Sequence, residues 1–75
     1  MNQLAQKFIN GINYLIEKEY DPRAIARYAY GFSLDNRIND KQLKYVVYYI
    51  RSMDAGPEFE LTKEELLGFI NQNIS

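Results

Sequence analysis

The chain has 75 residues and a mass of 8.9 kDa, and it contains neither cysteine nor histidine. These absences exclude disulfides, zinc thiolate sites and thiol nucleophiles, and they remove the commonest general base and the usual nitrogen ligand of transition metals. Nine basic and ten acidic side chains give a net charge of −1, without the basic excess that is typical of nucleic-acid-binding proteins. The composition therefore predicts one small domain, residues 1–75, with no catalytic activity, no metal and no cofactor.

The charges are divided unequally along the chain. Residues 1–51 carry eight basic and five acidic side chains, whereas residues 52–75 carry one basic and five acidic side chains. We therefore expect a polarised molecule, with a net positive charge on residues 1–51 and a net negative charge on residues 52–75. The apolar runs are too short to span a membrane, and the N-terminus lacks the charged start and apolar stretch of a secretory signal. A cytoplasmic protein is expected.

The first predicted helix covers residues 2–19, where apolar side chains recur at helical spacing and fill one half of a helical wheel. This half consists of Leu4, Ala5, Phe8, Ile9, Ile12, Leu15 and Ile16. Gly11 lies at its edge and costs about 1 kcal/mol relative to alanine inside a helix. We expect another helix to approach closely at this glycine.

The second predicted helix covers residues 22–35, because Asp21 is a strong N-cap and Pro22 suits the first helical position. Apolar side chains lie on one side of the wheel, and two arginines and a tyrosine lie on the other. The apolar side holds Ile25, Tyr28, Ala29 and Phe32. The opposite side holds Arg23, Arg27 and Tyr30. Residues 33–39 form the predicted connection to the next helix.

The third predicted helix covers residues 40–54, with Asn39 or Asp40 as its cap. Its core stripe consists of Leu43, Val46, Val47, Ile50 and Met53. Pro57 cannot continue the helix, and Gly56 suits the left-handed position that often follows a helix end.

The fourth predicted helix covers residues 63–73 and has the most specific start signal in the chain. Thr62 and Glu65 have the spacing of a capping box, and Leu61 and Leu66 have the spacing of a hydrophobic staple. The predicted buried side chains are Leu66, Leu67 and Ile70, with Phe69 and Ile74 as further candidates. The sequence therefore predicts an all-α fold, a bundle of four short helices around one core.

Tyrosines on the third helix are the first candidate for a binding surface. The chain has seven tyrosines, and Tyr45, Tyr48 and Tyr49 lie away from the predicted core stripe. Tyrosine is enriched at protein interfaces because it presents a large rigid surface with a polar tip. Alternatively, helices one and four pack on both faces of this helix and leave the tyrosines partly buried.

An acidic segment is the second candidate. It holds Asp54, Glu58, Phe59 and Glu60. Such a segment would attract a basic partner, with Phe59 as an apolar anchor. Alternatively, Phe59 packs into the core, and Glu64 and Glu65 complement the dipole of the fourth helix. The carboxylates do not have the spacing of a calcium-binding loop.

A basic face is the third candidate, and it indicates nucleic-acid binding. It consists of Arg23, Arg27, Lys41, Lys44 and Arg51, with Tyr30, Tyr45 and Tyr48 between them. Helices two and three could act like a helix-turn-helix motif, with helix three in a groove. The connection over residues 33–39 is long for that motif.

The size, the tyrosine-bearing helix and the acidic segment resemble the small all-helical immunity proteins that bacteria make against their own nuclease toxins. The DNase-colicin immunity proteins are four-helix bundles that bind the toxin through a Tyr-Tyr pair and neighbouring carboxylates. Tyr48-Tyr49 and the carboxylates of Asp54, Glu58 and Glu60 would be the counterparts. In that group the pair opens a short third helix and the second helix is acidic, whereas here the second helix carries Arg23 and Arg27.

The resemblance implies a non-enzymatic bacterial protein that binds and inhibits a toxin domain with a basic surface. The expected partner-binding residues are Tyr45, Tyr48, Tyr49, Asp54, Glu58, Phe59 and Glu60. The alternative is a small regulatory domain that binds nucleic acid through Arg23, Arg27, Lys41, Lys44 and Arg51. A homodimer that pairs its charged ends or its tyrosine faces is a third possibility.

Overall fold

Four α-helices make up most of the computed structural model, which describes residues 2–74. They are α1 (Gln3–Lys18), α2 (Pro22–Asp35), α3 (Lys41–Arg51) and α4 (Lys63–Ile74), and two short 3-10 turns, Ser52–Ala55 and Pro57–Phe59, join α3 to α4. Residues 2–74 contain no strand. The predicted all-α bundle of four short helices is confirmed. None of the helices in this range is long and apolar enough to cross a membrane.

Side-chain caps fix where each helix begins. The Asn2 side chain accepts a hydrogen bond from the Ala5 amide, and Asp21 accepts from the amides of Arg23 and Ala24. Asp40, one of the two predicted caps, accepts from the amide of Gln42 at 2.9 Å. Each contact satisfies a backbone donor that the first turn of a helix leaves without an intrahelical partner.

The core forms between all four helices, with α3 packed against α2 on one side and against α4 on the other. The predicted α3 stripe is confirmed, because its five side chains are fully buried. The buried side chains are Ala5, Phe8, Ile12, Ile25, Ala26, Ala29, Phe32, Leu43, Val46, Val47, Ile50, Met53, Leu66, Ile70 and Ile74. The radius of gyration is 11.2 Å, close to the roughly 11 Å expected for a compact chain of this length.

An aromatic cluster joins α1 to α2. The Phe8 ring lies 5.6 Å from the Tyr28 ring and 5.0 Å from the Phe32 ring, measured between centroids. The Tyr28 hydroxyl donates a hydrogen bond to the Phe8 carbonyl at 3.1 Å. A Cβ atom on Gly11 would lie 2.0 Å from that hydroxyl oxygen, so the glycine makes room for the tyrosine of the neighbouring helix.

Three local predictions are wrong. The α-helical part of α3 ends at Arg51 instead of residue 54, because the chain tightens into a 3-10 turn whose Ser52 hydroxyl donates to the Tyr49 carbonyl. Gly56 is extended, with φ 169° and ψ 161°, because the residue before a proline is driven to extended conformations. Leu67 is 39% exposed, because the α4 side chains that face the core are Leu66, Ile70 and Ile74.

Candidate functional site

Five side chains on the outer surface of α3 form what we call the α3 face. They are Lys41, Lys44, Tyr45, Tyr48 and Tyr49. Leu43, Val46, Val47 and Ile50 point into the core, so the helical repeat of 3.6 residues turns these five toward solvent. The three tyrosines keep 51%, 47% and 40% of their surface exposed, in chain order. The predicted tyrosines are therefore about half accessible to solvent and half covered by neighbouring side chains.

Ring contacts with α4 hold one side of the α3 face in place. The Phe69 ring lies 4.6 Å from the Tyr49 ring and 5.7 Å from the Tyr45 ring, and the two tyrosine rings are 6.2 Å apart. These separations are typical of favourable offset and edge-to-face aromatic pairs. The tyrosines are thus exposed and ordered at the same time.

Cation–π contacts with α2 hold the other side. The Arg51 guanidinium lies 4.9 Å from the Tyr48 ring centroid and 5.0 Å from the Tyr30 ring centroid, and it donates a 3.4 Å hydrogen bond to the Ser33 hydroxyl. The ammonium of Lys44 lies 5.8 Å from the Tyr48 ring. Such contacts contribute about 0.5–1 kcal/mol each at exposed sites, so Tyr48 is also positioned before any ligand arrives.

The α3 face encloses an open hollow of about 490 Å³, lined mainly by apolar surface. Pockets for small molecules have volumes of about 300–1,000 Å³, but this one is open to solvent along one helix. Its shape suits a protruding side chain or a flat ring rather than an enclosed substrate. The two lysines at its edge give it a positive rim.

The four predicted site residues outside α3 lie on the connection between α3 and α4, which we call the acidic connector. It holds Asp54, Glu58, Phe59 and Glu60, all of them exposed. Phe59 keeps 48% of its surface exposed, so its ring is available to a partner rather than buried in the core. The tyrosines and the carboxylates therefore belong to two successive elements, and the side chains that share the tyrosine hollow are lysines.

Tyr20 ties the acidic connector to α1. Its hydroxyl donates a hydrogen bond to the Leu61 carbonyl, at the end of the connector. Burial raises the pKa of the Tyr20 phenol above its ordinary value of 10.0, and the nearby carboxylates of Glu60, Glu65 and Glu64 raise it further. The contact holds the connector at a fixed position relative to the helices.

The five basic residues of the predicted nucleic-acid face are only partly brought together. Lys41 and Lys44 line the tyrosine hollow, and Arg51 packs against Tyr48. Arg23 and Arg27 are exposed on α2, where Arg27 lines a separate hollow between α1 and α2. A helix-turn-helix interface that uses all five would therefore have to extend over two helices and two hollows.

Two aromatic residues complete the α3 face. Phe69 was not among the predicted site residues, and Tyr30 was named only as part of the basic face. Phe69 was a candidate for burial, and Tyr30 was placed on the polar side of α2. Each reaches the tyrosines from a neighbouring helix, and the helical wheel of α3 alone gives no signal for such contacts.

Residues 2–74 contain no group of three or more side chains placed to bind a metal ion. No protein-family model matches this chain, and no curated protein or solved structure matches it.

Proposed function

We propose that this chain is a non-enzymatic protein-binding module that docks a partner on its α3 face. The observation that carries the proposal is the set of three tyrosine rings that are 40–51% exposed and held by contacts with Phe69 and Arg51. Binding normally costs about 0.5–1.5 kcal/mol for each flexible side chain that it immobilises. Rings that are already positioned avoid much of this cost, which favours an interface over a solvated surface.

We further propose that the partner is a bacterial toxin domain of the nuclease type and that binding inhibits it. The acidic connector supports this, because it presents three carboxylates beside the exposed ring of Phe59. A nuclease has a basic groove for its substrate, and carboxylates accelerate association with such a surface by long-range attraction. The aromatic rings then slow dissociation by burying apolar area.

In the first experiment, three forms of the chain are immobilised, and the proteins that each form retains are compared. The three forms are wild type, Tyr14→Ala and the double variant Tyr45→Ala/Tyr49→Ala. Tyr14 is a matched control, since it is a 58% exposed tyrosine on α1, outside the α3 face. We expect a specific protein retained by wild type and Tyr14→Ala but lost with the double variant. The product of a neighbouring reading frame is the first candidate to purify.

The toxin proposal is tested on that purified protein. We expect it to have nuclease activity that falls when the wild-type chain is added in equal amount, and to keep its activity with the double variant. Equal retention by all three immobilised proteins would refute the α3 face as the docking site. A captured protein without toxin activity would refute only the toxin proposal.

A second candidate function is binding of single-stranded nucleic acid. It is favoured by one observation, the presence of Lys41 and Lys44 in the same hollow as the three tyrosines. Proteins that bind single strands combine a positive surface with aromatic rings on which bases stack. The test is binding of a labelled oligonucleotide, which should weaken steeply between about 50 and 200 mM salt. Absence of binding at low salt would dispose of this candidate.

A further inference from the structure

The junction of α2 and α3 borders a second hollow, of about 330 Å³, with mostly polar walls. We call it the junction hollow. Its polar lining consists of Ser33, Asn36, Arg37, Asn39, Lys44 and Tyr48. Arg37 and Lys44 supply two positive charges, and the Asn39 amide group and the Tyr48 hydroxyl supply further hydrogen-bond donors. This set of donors is the chemistry that recognises a phosphoryl group.

Of the described residues that line the junction hollow, none carries a carboxylate. The Asp40 carboxylate caps α3 outside this lining, where it accepts from the Gln42 amide at 2.9 Å and from the Asn2 side chain at 3.1 Å. The hollow between α1 and α2 makes an instructive contrast, since Asp35 lies among its cations, Lys7 and Arg27. The cations of the junction hollow lack such an internal counter-ion and are available to an external anion.

The end of α2 lies beside the junction hollow, and the carbonyl groups of a last helical turn would repel an anion. Here one of those carbonyls, that of Phe32, is satisfied by Asn36, whose backbone amide and side-chain amide group both donate to it at 3.1 Å. The repulsion is thereby reduced at the point where an anion would bind.

The junction hollow adjoins the hollow of the α3 face, because Lys44 and Tyr48 line both. One is polar and cationic, and the other is apolar and aromatic. A nucleotide has the same two parts in the same order, a charged phosphoryl group linked to a flat base that stacks on aromatic rings.

We propose that the two adjoining hollows bind a nucleotide, with its phosphoryl group in the junction hollow and its base against the tyrosine rings. The nucleotide is either free or part of a single strand, since both present the same phosphoryl and base groups. This site goes beyond the protein-binding role and does not depend on it. Arg37 lies outside the α3 face, so the two proposals can fail separately.

The test is a titration of isotope-labelled protein at low ionic strength, followed by the amide NMR signals. The ligands are a nucleoside 5′-monophosphate, the matching nucleoside, inorganic phosphate and a single-stranded hexanucleotide. We expect the monophosphate to shift signals in residues 33–39 and 41–49, and to bind more tightly than either of its parts. If the hexanucleotide binds more tightly than the monophosphate, the ligand is a single strand. If the two bind with equal affinity, the ligand is the free nucleotide.

Two charge-removing variants distinguish a defined site from nonspecific electrostatic attraction. Arg37→Gln should weaken nucleotide binding about tenfold, and Lys63→Gln, which removes an exposed positive charge at the start of α4, should leave it nearly unchanged. Arg37→Gln should also leave the affinity of the protein partner unaltered. Equal losses in the two variants, shifts outside the two hollows, or no binding at millimolar nucleotide would each overturn the proposal.

Discussion

Five of the seven tyrosines form two groups, one held by hydroxyl contacts and the other by ring contacts. Tyr20 and Tyr28 are half-buried, and they donate to the carbonyls of Leu61 and Phe8. Tyr45, Tyr48 and Tyr49 are exposed and are held by their rings instead. The sequence predicts which tyrosines lie on helices but not this division, because the division depends on which neighbouring element reaches each side chain.

At the scale of one residue, Gly11→Ala should destabilise the protein although alanine is the better helix former. An added Cβ would lie 2.0 Å from the Tyr28 hydroxyl oxygen, whose ring is held against Phe8. Overpacking of this kind costs about 1–3 kcal/mol, more than the roughly 1 kcal/mol gained in helix propensity. The free energy of unfolding in urea measures the balance.

Gly68→Ala is the matched control for this substitution. It lies inside α4, and a Cβ there would meet no described atom within 4 Å apart from its neighbours in the helix. We expect a gain of up to about 1 kcal/mol. A gain at both glycines would contradict the close contact between Gly11 and Tyr28.

The two half-buried tyrosines predict how stability changes in alkali. Burial raises the pKa of both phenols above 10.0 in the folded state, so the folded state favours the protonated form. Their contribution to the free energy of unfolding is therefore fully present below pH 10, and it is lost as the pH rises through the folded-state pKa. Tyr20→Phe should cost about 1 kcal/mol at neutral pH and should show a smaller loss of stability between pH 9 and 11 than the wild type. Identical alkaline profiles would contradict this assignment.

At the scale of elements, the helix starts are the part of the fold that the sequence predicts best. Asp21-Pro22, Asp40 and the capping box at Thr62 all act over three or four residues, and the structure confirms each of them. The end of α3 was harder to predict, because several weak local preferences compete over residues 52–57. The contacts of Phe69 and Tyr30 with the α3 face could not be predicted, because they require the packing angles between helices.

The capping box gives a prediction for α4. The Thr62 amide donates to the Glu65 carboxylate at 2.8 Å, and the Glu65 amide donates to the Thr62 hydroxyl at 3.1 Å. Thr62→Ala should therefore cost about 1 kcal/mol of unfolding free energy, and Thr62→Ser, which keeps the hydroxyl, should cost little. Equal losses in the two variants, measured by urea unfolding, would mean that the hydroxyl contact contributes nothing.

At the scale of the whole molecule, the net charge of −1 conceals two oppositely charged surfaces. The lysines lie on the α3 face, and three carboxylates lie on the acidic connector that follows it. The sequence predicted both charge groups, and it assigned Tyr45 and Tyr48 to each of them as alternatives. Helix α3 places them with the lysines, because Lys41, Lys44 and Tyr48 are spaced three and four residues apart.

Charge-reversal variants show which of the two surfaces a partner binds. A basic toxin domain should bind Glu58→Lys more weakly and Lys44→Glu equally or more tightly, and single-stranded nucleic acid should show the opposite order. Association rates at two salt concentrations provide the measurement, because the effect of a surface charge falls as ionic strength rises. The same order for both ligands would contradict the separation of charge into two surfaces.

The most direct test of the proposed function is the affinity of the purified partner for Tyr49→Ala, Phe59→Ala and Tyr14→Ala, each first checked for native helix content. If the α3 face and the acidic connector carry binding, Tyr49→Ala and Phe59→Ala each lose about 1 kcal/mol or more, a weakening of at least about fivefold, and Tyr14→Ala binds like the wild type. Unchanged affinity in both of the first two variants would contradict the account.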